Sequence, residues 1–353
     1  MRTLPTSKPI MSKLIASKLM LSSLSLSLLL PSLSAQAQPT REELFAMFAS
    51  VVQVTVTFPD GSTGTGSGVV IEGDHVATNC HVLANANGAN ITKLQQAYTP
   101  IALKADWKHD LCLLKFDGLP MKPMPLRDTA SLQYEEPVFV LSYPGDNPVP
   151  QPSFGSVKAL YPYDGSVILR SDASFALGSS GGALFDQNKH LIGITTFKSP
   201  GRGSYFYNLP VEWIRKLLDA PEIRTLTATD MPFWSLPEQE RPFFMQVVIP
   251  FQKRDWATVE QIAQTWHARE PANIDALYYL GSAQRGLKKL SEARTTFTSV
   301  ITQNPRHLDA MSGLAEIALS NGDKAEALRM AALMQPLDSY EAETLEKRIS
   351  ALP

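Results

Sequence analysis

The chain is expected to be a multidomain β + α protein, with an all-β part followed by an α-helical repeat part. Three observations predict this. Residues 51 to about 213 hold many short, β-branched apolar runs punctuated by Gly and Pro. Residues 221–238 carry Pro221, Pro232 and Pro237 and read as a linker. From residue 239 to 353 the apolar spacing becomes helical.

With 353 residues, 44% of them apolar, the chain can bury more than one core. The charged fraction is 19% and the formal net charge is −2, which gives no strong field for nucleic acid. Residues 1–37 read as a secretory signal peptide. Arg2, Lys8, Lys13 and Lys18 are the charged side chains there, an apolar and serine stretch runs from Leu19 to Leu30, and Ala35-Gln36-Ala37 offers a small-residue cleavage site. A start at Met11 would give a shorter signal. The apolar stretch falls short of the ~20 residues of a membrane span, so no span is expected after cleavage. No cysteine follows it to carry a lipid. Cleavage removes four cations and no acids, taking the formal charge from −2 to −6. A secreted protein is expected, with a bacterial periplasm the best fit to the Ala-x-Ala site.

In the β part, Val51-Val52-Gln53-Val54-Thr55-Val56-Thr57-Phe58 alternates as a strand and Pro59-Asp60-Gly61 turns it. Val69–Ile71, Leu111–Leu114, Pro137–Leu141, Val167–Leu169 and Leu191–Phe197 continue the pattern. Such a series suggests a barrel or sandwich. Pro210 to Leu218 reads as a closing helix.

In the helical part, Leu277, Leu280, Gly281, Ala293, Phe297 and Pro305 fall at the spacing of the tetratricopeptide pattern, which residues 239–353 resemble. A shift of 34 residues gives Met311, Leu314, Ala315, Ala327 and Ala331 as a second copy. A backward shift gives Ala263 and Pro271 as a degenerate one. A generic helical bundle is the alternative. Repeats of this kind imply a surface for a protein partner or a structural cap.

The chemistry concentrates in Gly178-Ser179-Ser180-Gly181-Gly182. Its glycines permit a tight turn that exposes a hydroxyl and aims consecutive backbone N–H groups at one point. Cleaving an amide needs a nucleophile, a base, a group to orient that base, and donors for the oxyanion. His81 follows the strand-like Val76–Cys80, and Asp110 directly precedes Leu111–Leu114. The segments Gly66–Ile71, Thr78–Val82, His109–Lys115 and Asp172–Leu184 resemble the trypsin-like serine peptidases. They are most similar to the HtrA/DegP-like branch, whose closing strands Leu191–Thr196 and Leu209–Val211 also match.

The resemblance covers roughly residues 45–220. It implies two perpendicular six-stranded barrels with a cleft between them. It implies His81 as general base, Asp110 as its orienter and Ser180 as nucleophile, with the N–H groups of Gly178 and Ser180 as oxyanion hole. Thr195, Thr196 and Phe197 would pair with the substrate backbone. Ser174 would floor the specificity pocket, where no acid calls for Lys or Arg. The substrate is then a protein or peptide, with no cofactor and no metal.

Asp106 is a rival orienter, and His109 a rival base that should point to the opposite face from Asp110. Ser179 departs from the acid or amide common before the nucleophile. Helical repeats stand where the branch normally continues into a PDZ domain. If the trio assembles, Cys80 and Cys112 come close, and an exported chain can bridge them. Two other readings remain. Residues 178–182 also satisfy Gly-x-Ser-x-Gly, but an α/β-hydrolase needs its Asp and His after the Ser. A catalytically inactive scaffold presenting the repeats is the other.

Overall fold

Alternating β-branched residues, interrupted by turns, produce thirteen strands in two sheets among the described residues. The computed structural model describes residues 38–145, 147–201 and 203–351. The signal-peptide reading of residues 1–37 lies outside them. A short helix α1 (Arg41–Phe48) opens the described part, closed at its start by a capping box between Thr40 and Glu43. The first sheet comprises β1 (Val51–Thr57), β2 (Thr63–Ile71), β3 (His75–Asn79), β4 (Gly88–Lys93), β5 (Gln96–Tyr98), β6 (Ala102–Asp106) and β7 (Leu111–Lys115). One helical turn, α2 (Cys80–Leu83), follows β3. The second sheet comprises β8 (Pro137–Ser142), β9 (Gln151–Tyr163), β10 (Ser166–Ser171), β11 (Ala183–Asp186), β12 (Leu191–Lys198) and β13 (Phe206–Pro210), followed by helix α3 (Val211–Leu218).

The second sheet closes into a six-stranded barrel in the order β10-β13-β12-β11-β8-β9. The first corrects the expectation of two six-stranded barrels. It is a seven-stranded sheet, β5-β4-β1-β2-β3-β7-β6, without closure. Its edge strands β5 and β6 are joined by residues 99–101 alone, a reach of at most about 14 Å, so the sheet must roll until its edges nearly meet. Pro100 in that link has no N–H to donate, which disfavours a closing ladder. The outer edge of β6 pairs instead with Ile223, through reciprocal backbone bonds between Leu103 and Ile223 of 2.9 and 2.8 Å.

Residues 221–238 are not a free linker. Their backbone is tied to the first sheet at Ile223, at Leu226 (Asn85 N–H to its carbonyl, 2.8 Å) and at Phe233 (its N–H to the Lys108 carbonyl, 2.9 Å). Prolines keep this segment out of strands and α-helices, leaving a 3-10 turn at Phe233–Ser235 in which Phe233 is fully buried and Trp234 partly so. It is a strap laid along the β part.

Among the described residues, eight helices follow the strap, and α3 closes the β part before it. Beyond α3, α4 (Phe243–Gln246) and α5 (Val248–Gln252) are short. Then come α6 (Trp256–Arg269), α7 (Ile274–Gly286), α8 (Leu290–Gln303), α9 (Leu308–Ser320), α10 (Lys324–Met334) and α11 (Ser339–Ser350). Asp255, Asn273, Asp323 and Asp338 cap α6, α7, α10 and α11 with side-chain oxygens. The repeat-pattern glycine has a steric cause: a Cβ on Gly281 would stand 2.9 Å from the Phe297 ring, and one on Gly313 2.6 Å from its other side. Phe297 of α8 is thus seated between α7 and α9.

One apolar core runs from the second barrel through the strap into α4–α7. Tyr161 of β9 stacks on Phe244 of α4, ring centroids 4.5 Å apart, and Trp266 and Tyr279 extend the cluster. A buried polar group crosses the same boundary. The Tyr134 hydroxyl donates to Asp275 of α7 at 2.5 Å, and Arg306 donates to the Tyr134 carbonyl at 2.5 Å. The helices are therefore fused to the barrel by a shared core.

Cys80 and Cys112 form a disulfide, Cα atoms 5.0 Å apart. Antiparallel pairing of β3 with β7 sets Thr78 opposite Cys112 and Asn79 opposite Leu111, which carries Cys80 to the end of β7. Replacing both cysteines by alanine should lower the unfolding free energy by about 3–4 kcal/mol, the loop-closure entropy of a 32-residue separation, as read by urea denaturation.

Burial lowers the pKa of both His75 and His307, because it penalises the imidazolium. Each is then protonated more readily unfolded than folded. Their stabilising contribution is complete above the ordinary histidine value of ~6.5 and is lost as pH falls below it. Unfolding free energy measured from pH 8 to 5.5 should decline below about 6.5. The decline should be shallower in His307→Phe.

Candidate active site

The tip of the β6–β7 hairpin delivers Asp110. This residue takes φ +60°, a left-handed conformation that aspartate tolerates at a cost of roughly 1–2 kcal/mol. The tip is held from outside. His109 Nδ1 meets Asp106 Oδ2 at 2.7 Å, His109 Nε2 meets Asp164 Oδ2 at 2.9 Å, and its ring lies 4.1 Å from that of Trp213. Asp106 and His109, the rival orienter and base, thus form a separate pair that anchors the hairpin. Their opposition to Asp110 comes from a turn and not from strand alternation.

Asp110 is fully buried. Its Oδ1 accepts the backbone N–H of His81 at 2.8 Å, and its Oδ2 pairs with His81 Nδ1 at 2.7 Å. A third donor reaches Oδ2: the indole Nε1–H of Trp234, at 3.0 Å. Trp234 belongs to the strap, 124 residues later, and its ring stands edge-on to His81 with centroids 5.4 Å apart. Reading the sequence missed this residue. The available signal was an apolar cluster, Met231-Pro232-Phe233-Trp234, inside a segment taken for a solvated linker. Behind Asp110, its carbonyl accepts Asn79 Nδ2 at 3.0 Å, and the same amide donates to Thr196 Oγ1 at 3.0 Å.

Ser180 sits in the glycine-rich turn between β10 and β11. Gly178 and Gly181 take φ +88° and +86°. A Cβ at Gly181 would lie 2.1 Å from the Ser67 carbonyl oxygen, so no larger residue fits. Ser67 of β2 clamps this turn to the first sheet: its N–H donates to the Ser180 carbonyl at 2.7 Å and its hydroxyl to the Gly178 carbonyl at 2.8 Å. Ser179, buried, fills the place of the usual acid with neutral bonds. Its Oγ accepts from Ser142 Oγ at 2.9 Å, and its carbonyl accepts from Thr195 Oγ1 at 2.6 Å. The N–H groups of Ser179, Gly181 and Gly182 are bonded to the carbonyls of Ala176, Thr195 and Ser179. Among the described residues, those of Gly178 and Ser180 meet no acceptor. The two donors expected for an oxyanion are therefore the two left over.

The Ser180 hydroxyl donates to the Thr196 carbonyl at 3.4 Å, and no hydrogen bond to His81 is formed. Thr196 is the extra residue of a bulge in β12, where the register against β13 shifts. The three expected backbone-pairing residues differ. Thr195 has both main-chain groups committed, its N–H to Gly182 and its carbonyl to Gly181, so it offers nothing to a further strand. From Thr196 onward β12 has no neighbour on the β11 side among the described residues. Ser199 N–H bonds the Tyr205 carbonyl, so alternation along the ladder turns the main-chain groups of Lys198 to that open side. Ser174 is exposed, its Oγ 3.2 Å from Ser153 Oγ on β9.

Residues 66–194 match the family model of the trypsin-like peptidase domain, and residues 275–307 match a tetratricopeptide repeat. The chain is 30% identical over 188 residues to the mitochondrial protease Do-like 4 of Arabidopsis thaliana, covering 49% of this chain and 35% of that one. It is 30% identical over 136 residues to a DegP-like periplasmic serine endoprotease of Pseudomonas putida (strain W619), covering 37% and 28%. It is similar to the crystal structure of the active form of the Rv3671c protease from M. tuberculosis, with 22% identity, a TM-score of 0.48, and 54% and 92% covered. The chain thus spans about a third of the length of these curated relatives. Residues 66–194 are a trypsin-like peptidase domain related to the HtrA/DegP serine proteases, and a tetratricopeptide repeat stands C-terminal to it.

Proposed function

We propose that this chain is a secreted serine endopeptidase that hydrolyses peptide bonds through an acyl-enzyme. The observation that carries the reading is the buried Asp110 carboxylate against His81 Nδ1 at 2.7 Å, beside a turn with two unused N–H donors. Ser180 attacks the carbonyl carbon, and His81 Nε2 takes the hydroxyl proton and later gives it to the leaving amine. Asp110 fixes the ring with Nδ1 protonated and stabilises the imidazolium. The N–H groups of Gly178 and Ser180 stabilise the oxyanion. Water then attacks the ester and restores Ser180. In this scheme the hydroxyl must turn from the Thr196 carbonyl toward His81 when substrate enters. An extended peptide would lie along Thr196–Lys198, adding a strand to β12. The Ala-x-Ala segment, the disulfide and a periplasmic relative support an exported location. No described helix is long and apolar enough to cross a membrane.

A fluorophosphonate probe should label the purified protein at Ser180 and leave Ser180→Ala unlabelled. Equal labelling of both would end the assignment. Trp234→Phe keeps the ring and removes the third donor to Asp110. It should lower kcat against a casein substrate about tenfold or more, matching the ~1.5–3 kcal/mol of a hydrogen bond to a charged group. An unchanged kcat would make Trp234 a packing residue alone.

A further inference from the structure

The strap and the first two helices beyond it leave a cavity of about 360 Å³ against the end of β12. Its walls come from three parts of the chain: Phe197 and Lys198 from β12, Trp234 from the strap with Arg241 just after it, and Met245, Val248 and Ile249 from α4 and α5. The lining is mainly apolar, and such a recess on a soluble protein marks a place where something apolar binds. Two features connect it to the cleft. Lys198 presents its main-chain groups on the open edge of β12, so an added strand would run past the cavity mouth. Trp234 is shared, standing edge-on to His81 on one side and stacked 5.7 Å from Phe197 on the other.

We propose that this cavity is a specificity pocket for a bulky apolar side chain of the peptide substrate, upstream of the scissile bond. The proposal rests on the proteolytic reading and deepens it. The cleaved carbonyl is fixed near Ser180, whose hydroxyl lies 3.4 Å from the Thr196 carbonyl. A peptide antiparallel to β12 then places its third upstream residue opposite Lys198. Side chains alternate along a strand, so the second and fourth upstream residues share one face. The second meets Trp234 beside His81, and the fourth reaches the cavity. Leucine, methionine or phenylalanine matches its volume and mainly apolar lining, and a lysine side chain would lose hydration there while facing the like charges of Arg241 and Lys198. Substrate choice at this position is thereby set jointly by β12 and by the strap and helices beyond the peptidase domain.

A positional-scanning peptide library digested by the purified full-length protein tests this. Leu, Met or Phe should be preferred over Ala at the fourth upstream position by about tenfold or more, the discrimination one filled apolar pocket gives. Ile249→Trp fills the cavity and should bring the Leu-over-Ala ratio near one. Met245→Ala enlarges it and should shift the preference from Leu toward Phe or Trp, so a poorly folded first variant does not decide the matter. A wild-type profile flat at that position, or the same preference in both variants, overturns the pocket. Failure of fluorophosphonate to label wild-type Ser180 overturns the proteolytic reading itself, and the pocket with it.

Discussion

A carboxylate with no exposure to water governs this molecule. Taking an ionised group into the interior costs several kcal/mol unless donors replace its hydration. Asp110 has three: the His81 N–H, the His81 ring and the Trp234 indole. Each comes from a different kind of structure. The N–H belongs to the turn after β3, the ring to a side chain in the cleft, and the indole to the strap beyond the second barrel. Keeping that charge buried obliges the three to meet. Removing any one leaves the carboxylate short of a partner, so under the proposed mechanism the contact that orients His81 is also the one that stabilises the buried charge.

The surrounding bonds follow from that need. The Cys80–Cys112 bridge ties the strand that ends at His81 to the strand that begins after Asp110. The Asp106–His109–Asp164 set pins the hairpin tip to the second barrel from the other side. Ser67 does the corresponding work for the glycine-rich turn, bonding Ser180 and Gly178 from the first sheet. The cleft is thus built by hydrogen bonds that cross between sheets, with His81, Asp110 and Ser180 each at a turn. That placement leaves the two sheets free to be rigid and apolar.

Much of this was legible in the amino-acid sequence for a physical reason. Strand alternation, the Gly-Ser-Ser-Gly-Gly turn and the repeat glycine Gly281 are local requirements, each met within a few residues. The disulfide followed because two cysteines flank residues that must touch. What stayed hidden was non-local. The first sheet's failure to close depends on Pro100 and on Ile223 reaching β6 from 120 residues away. Trp234 looked like a stray aromatic among prolines because nothing local says that its indole must find a buried carboxylate. The commitment of Thr195 to Gly181 and Gly182 depends on a β12 bulge that no residue pattern announces.

The strap changes what the helical part of the chain can do. A repeat array on a solvated tether can only bring partners near the cleft. Here the tether carries a donor to Asp110 and a wall of the β12 recess, and it is continuous with α4 and α5, whose Phe244 stacks on the barrel. A displacement of those helices would therefore pull on Trp234, and through it on the carboxylate that orients His81. Coupling of that kind needs no long relay, because one side chain spans the distance. It also limits how far the helices can move. The shared core from Tyr161 through Phe244 to Tyr279 is close-packed, and such interfaces shift between discrete arrangements instead of bending smoothly. A peptidase domain cut before the strap would lose the Trp234 indole, one of the three donors to its buried Asp110 carboxylate.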